Sequence, residues 1–177
     1  MNKIALLVIF SVALALVAGV GANFRMFNAE REFSVAVVAD DQELIDLTPN
    51  QPYAFIDDDG KMIVRFDTLN RNYPGYGNGI SPDTIYVFDK VFCVSNGLWD
   101  NETIAVDLRV SPSLEGIIKL YSPSSTENRS PDEAGSTLIT VIKPGEDACI
   151  GFVINTTGYT KDNSYEGTIT IQGYRFT

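Results

Sequence analysis

An all-β fold, an antiparallel two-sheet β-sandwich, is predicted by three features of the chain beyond residue 32. Apolar and polar residues alternate over many short stretches, clusters of Gly, Asn, Asp and Pro separate these stretches, and no segment carries the 3.6-residue apolar period of a helix. The clearest alternation sets Ile104, Val106, Leu108 and Val110 against Ala105, Asp107 and Arg109. It predicts a half-buried strand with Val106 and Leu108 in the core and Asp107 and Arg109 in solvent.

The remaining elements follow in chain order. Phe33, Val35 and Val37 alternate as a strand, and a second strand is predicted at Leu44–Leu47. Tyr53–Ile56 and Met62–Phe66 flank the acidic turn Asp57-Asp58-Asp59-Gly60, the signature of a hairpin. Thr68–Thr84, containing Tyr73-Pro74-Gly75-Tyr76-Gly77-Asn78-Gly79, is too rich in Gly and Asn for a strand. It is expected to be a long crossover whose tyrosines cover the edge of the core; the other reading is that they stack on a sugar. Ile85–Phe88 runs into Val91–Ser95, and Ile117–Tyr121 forms a further strand. Ser122–Ser136, rich in Ser, Pro, Asp and Glu, is expected to be an exposed flap. Thr137–Ile142 and Ala148–Asn155 are joined by the turn Lys143-Pro144-Gly145-Glu146, and Gly167–Phe176 closes the chain.

The first twenty-two residues predict export. Lys3 precedes an uncharged apolar run from Ile4 to Val20, which ends in small residues, with Val20 and Ala22 placed as in a signal-peptidase site. A retained membrane anchor is the competing reading, since seventeen apolar residues lie near the lower limit for spanning a bilayer. The small residues and the lack of a basic stop-transfer cluster favour cleavage between Ala22 and Asn23. A type IV pilin is cut ahead of its apolar stretch, and the basic residue plus glycine that this needs is missing before Ile4. The mature chain, Asn23–Thr177, is therefore expected outside the cytoplasm, with no membrane attachment after cleavage, and its length suits one domain.

A net charge of −10 without histidine argues against nucleic acid as a partner and against anionic lipid. An acidic exterior keeps copies soluble through repulsion. It also suits salt or divalent cations. In an exported chain the two cysteines predict a disulfide. Phe92 and Val94 share one strand face and Cys93 takes the other; Ile150, Phe152 and Ile154 share one face and Cys149 points away. If both strands bury their bulky face, the sulfurs meet on the outer face; two buried free thiols are the alternative.

The absence of histidine excludes Ser-His-Asp and Cys-His catalysis and His-based zinc sites. Paired carboxylates could cleave glycosides, but the acidic residues are scattered and single out no pair. Asp57-Asp58-Asp59-Gly60 lacks the alternate ligands and closing Glu of a calcium loop, so it reads as a turn. No phosphate loop or dinucleotide fingerprint is present. The chain is expected to be no enzyme and to hold no cofactor or metal. Three sequons mark Asn101, Asn128 and Asn155 for N-glycosylation, Asn128 with Pro131 after its Ser130.

Several stretches then resemble a secreted archaeal family of unassigned function related to the TasA and camelysin group, whose members include matrix and donor-strand filament proteins. The resembling stretches are Asn23-Phe24-Arg25-Met26-Phe27, Leu44–Leu47, Val91-Phe92-Cys93-Val94-Ser95-Asn96-Gly97, Lys143–Glu146, Ile150–Ile154 and the terminal Gly167–Ile171. The resemblance implies a jelly-roll-like sandwich with a structural, cell-surface role, as a filament or biofilm-matrix subunit. Its partner would be copies of itself, joined head to tail. Asn23–Glu32 is placed to be the donor strand, with Phe24 and Met26 on one face and Arg25 and Phe27 on the other. The alternatives are that this segment pairs within its own subunit, or that the chain is a monomeric binding module for carbohydrate or another ligand through Tyr73–Tyr76. A carboxylate-based hydrolase is the third.

Overall fold

The computed structural model describes residues 2–3, 34–50, 52–161 and 164–175. The cleavage site at Ala22 and Asn23 and the expected donor residues Phe24, Met26 and Phe27 lie outside them, as does the apolar run. Residues 1–36 and 37–177 form two compact units, and every strand described below lies in the second.

Among the described residues, period-two alternation becomes nine antiparallel strands. They are β1 (Leu47–Pro49), β2 (Ala54–Ile56), β3 (Met62–Val64), β4 (Ile85–Ser95), β5 (Ile104–Val110), β6 (Ile118–Tyr121), β7 (Thr137–Ile142), β8 (Asp147–Asn155) and β9 (Ile169–Arg175). Among the described residues from 34 onward, the only helical element is a 3-10 turn at Pro131–Glu133. Strand order, which alternation does not carry, is β1-β4-β8-β6 in one sheet and β7-β5-β9 in another, with β2-β3 as a separate hairpin. The two larger sheets bury their bulky faces together. Phe92, Val94, Ile150 and Phe152 from one meet Val106, Leu108, Leu138 and Ile142 from the other in a single core cluster. Phe92 and Phe152 pack edge to face at its centre, 6.1 Å between centroids.

β4 runs unbroken through both predicted stretches, with a register shift between Phe88 and Phe92 that absorbs Asp89-Lys90. Lys143–Glu146 turns the chain from β7 in one sheet to β8 in the other, with Gly145 at φ +72°. The hairpin turn is as expected: Gly60 has φ +81°, and the Asp57 carboxylate accepts the amides of Asp59 and Lys61 at 3.0 and 2.9 Å.

Four expectations need correction. Ser34–Ala39 forms no strand, and Val35 and Val37 are exposed. Alternation supplies a face but no partner strand; the Ala39 carbonyl accepts the Gln42 amide in a turn, and the Asp40 amide donates to the Gly60 carbonyl. The Leu44–Leu47 strand begins only at Leu47, because the preceding residues loop back so that the Leu47 amide reaches the Asp40 carbonyl at 2.7 Å. Ser122–Ser136 is no free flap. Ser122 and Ser125 are buried, Ser125 Oγ donates to the Ile139 carbonyl at 2.8 Å, and Leu120 exchanges backbone bonds with Gly135. The segment thus covers the outer edge of β7.

The fourth correction is Asp107, which is 5% exposed. β5 is the middle strand, so Ile139 and Gln172 stand on either side of Asp107. The Arg109 guanidinium bonds across it, with Nε at 2.9 Å. Arg109 itself is exposed as expected. The Asp107 hydrogen bond and charge raise the Arg109 pKa further above its ordinary value.

Candidate interaction surface

Among the described residues, β9 has a strand on one side only. The Ser111 amide donates to the Thr168 carbonyl, which fixes the phase of the β5–β9 ladder. Thr170, Gln172 and Tyr174 then bond to β5, while the main-chain groups of Ile169, Ile171, Gly173 and Arg175 point away from it. Of these, Ile169 and Ile171 pack against the core but are only half-buried. Ile45 lies on Gly173, where a Cβ would stand 2.4 Å from Ile45 Cδ1. Glycine is needed there to let the segment before β1 close onto β9. The result is an unpaired strand edge above a partly uncovered rim of the core, a template for an added strand.

At the end of β9 stands a feature that sequence reasoning passed over. Trp99, the single tryptophan, is 91% exposed in the loop between β4 and β5. Arg175 ties this loop to β9 through Asp100 at 3.5 Å and Glu102 at 3.4 Å. An apolar residue reads as core unless its partners are known, so only burial reveals it.

Cys93 and Cys149 are directly opposed on β4 and β8 and form a disulfide, as strand parity predicts. The Asp147 carboxylate sits 3.5 Å from Cys149 Sγ. These three are the sole group among the described residues spaced to hold a metal, but bonded sulfurs have no thiolate to offer. On the same outer face, Tyr121 lies over Gly151 and its hydroxyl donates to Asp89 at 2.7 Å. Burial and the Asp89 carboxylate raise the Tyr121 pKa well above its usual value.

The tyrosine crossover divides. Tyr73 is half-buried and donates to Asn78 at 3.1 Å, whereas Tyr76 is 77% exposed. The aromatic cover over this end of the core comes instead from Tyr53, Phe66 and Phe88, with centroids 4.7–5.0 Å apart. The acidic turn is internally engaged: besides the Asp57 bonds, Asp58 pairs with Arg71 at 2.7 Å. Desolvation and the neighbouring Asp40 and Asp46 raise the Glu43 pKa in the loop before β1.

The sequons differ. Asn101 is exposed in a left-handed conformation, φ +58°. Asn128 turns its amide nitrogen inward, donating to Thr137 at 3.2 Å and lying against Gly135. Asn155 ends β8 half-buried, and its Oδ1 accepts the Thr157 amide at 2.9 Å.

An antiparallel sandwich-like domain with one cross-strand disulfide, and with β9 paired on one side only among the described residues, is thus the class of protein defined here. The chain belongs to the DUF1102 family of proteins of unknown function, which residues 37–177 match. No curated protein matches it. Among the described residues no helix is long and apolar enough to cross a membrane.

Proposed function

We propose that this is an exported, non-catalytic structural protein of the cell surface, related to the TasA and camelysin group, that builds filaments or biofilm matrix. A subunit donates Asn23–Glu32 to a neighbouring copy. The observation that carries this reading is the edge of β9, which lacks a strand neighbour among the described residues while its core-facing Ile169 and Ile171 stay half-buried. Ten donor residues are enough to pair along the seven of β9. Main-chain bonds would supply affinity, and Phe24 and Met26 would cover the exposed rim. Such a contact is head-to-tail and propagates. The cross-strand disulfide is compatible with an exported chain.

The test is capture by peptide. Protein lacking residues 1–32 should bind a synthetic Asn23–Glu32 peptide saturably, with slowed hydrogen exchange at Ile169, Ile171 and Gly173. Binding without protection of β9 would reject that edge as the acceptor.

A second reading, a monomeric carbohydrate-binding module, draws on the exposed ring of Tyr76. It requires saturable glycan binding by a persistent monomer, abolished by Tyr76→Ala.

A further inference from the structure

An almost fully exposed tryptophan is costly to leave in water, since indole is among the largest apolar surfaces a side chain offers. Trp99 stands two residues before Asn101, and Asn101-Glu102-Thr103 is a sequon. The local geometry favours modification here over Asn128. Trp99 and Asp100 form a turn, the Asp100 carboxylate accepts the Glu102 amide at 3.3 Å, and Asn101 is left-handed. Arg175 anchors Asp100 and Glu102, whereas the side chains of Trp99 and Asn101 make no hydrogen bond, ion pair or ring contact among the described residues. The loop is therefore held while the amide nitrogen and the indole face stay open. The Asn128 nitrogen, by contrast, is spent on Thr137 and closed in by Gly135.

We infer that Asn101 carries an N-linked glycan whose first sugar lies on the indole of Trp99. In the transfer, Asn101 Nδ2 bonds to the anomeric carbon of a lipid-phosphate-linked oligosaccharide. The anomeric C–O bond breaks, the lipid phosphate leaves with its electron pair, and one amide proton passes to the base of the transferase. No oxidation or reduction is involved. The Cα atoms of Trp99 and Asn101 are at most about 7.6 Å apart along two trans peptides, so the first pyranose ring comes within reach of the indole. The C–H groups of a pyranose face carry slight positive charge and suit the negative face of the aromatic ring. Trp99 would thus be the docking platform of a covalent ligand. The inference rests on export but not on filament assembly.

The experiment uses the full chain expressed with its leader in its native cells. Glycopeptide mass spectrometry should find Asn101 occupied and Asn128 bare on protein that starts at Asn23. Thr103→Ala removes the sequon without disturbing the Asn101 backbone. Relative to that variant, the glycosylated protein should show tryptophan emission at shorter wavelength, several-fold weaker acrylamide quenching and a Tm higher by roughly 2–4 °C. Trp99→Ala should keep the glycan but lose the Tm gain. Exported protein with Asn101 unmodified would overturn the inference, as would an occupied Asn101 that leaves quenching unchanged. If the leader is retained and every sequon is bare, the inference and the export reading fall together.

Discussion

Tyr121 and Gly151 show how one residue dictates another. A Cβ on Gly151 would stand 2.4 Å from Tyr121 Cζ, so the ring needs a bare backbone beneath it. Gly151→Ala should cost about 1–3 kcal/mol by overpacking, read by chemical denaturation. The buried hydroxyl, bonded to Asp89, has a raised pKa, so the folded protein keeps its proton where the unfolded chain loses it. The stability this contributes is complete below about pH 10, the unfolded value, and is lost as pH rises beyond it. Tyr121→Phe should flatten the decline of Tm above pH 10, and a wild-type Tm that does not fall faster than the variant's there would contradict this assignment. In the core, Phe152→Ala should cost about 3–5 kcal/mol; a loss below about 1 kcal/mol would mean that the ring is not packed as described.

At the scale of elements, the disulfide closes a sequence separation of 56 residues between β4 and β8. On chain-entropy grounds this stabilises by roughly 4 kcal/mol. Cys93→Ser should therefore lower Tm sharply yet leave the far-ultraviolet circular dichroism unchanged. A changed spectrum would mean that the bridge is needed to form the sheet, beyond stabilising it. The bridge was legible because Phe92 and Val94, or Ile150 and Phe152, reveal which way a neighbouring cysteine points. β5 and β7 were legible to the residue for the same reason. Asp107 was not: its burial depends on having β7 and β9 on both sides, a non-local fact absent from its own strand. Ser34–Ala39 shows the converse, since alternating valines satisfy the pattern without a partner. Ser125 was misplaced because a polar loop can still spend its hydroxyl on a neighbouring strand. Of the candidate surface, the donor could be proposed from sequence, but the free edge of β9 and the exposed Trp99 required strand order and burial.

For the whole molecule, net charge opposes the proposed assembly. The full chain bears a net charge of −10, and loss of Lys3 with the leader makes it one unit more negative, so copies repel one another at low ionic strength. Raising salt screens this repulsion, so assembly should be favoured by salt, whereas a contact dominated by ion pairs would weaken. The central claim is head-to-tail assembly through Asn23–Glu32, and negative-stain electron microscopy of the leader-cleaved protein over a concentration series tests it most directly. Fibres should appear with increasing concentration, and protein lacking Asn23–Glu32 should remain folded and monomeric under the same conditions. Monomers at every concentration, or fibres that persist after the segment is removed, would contradict the account.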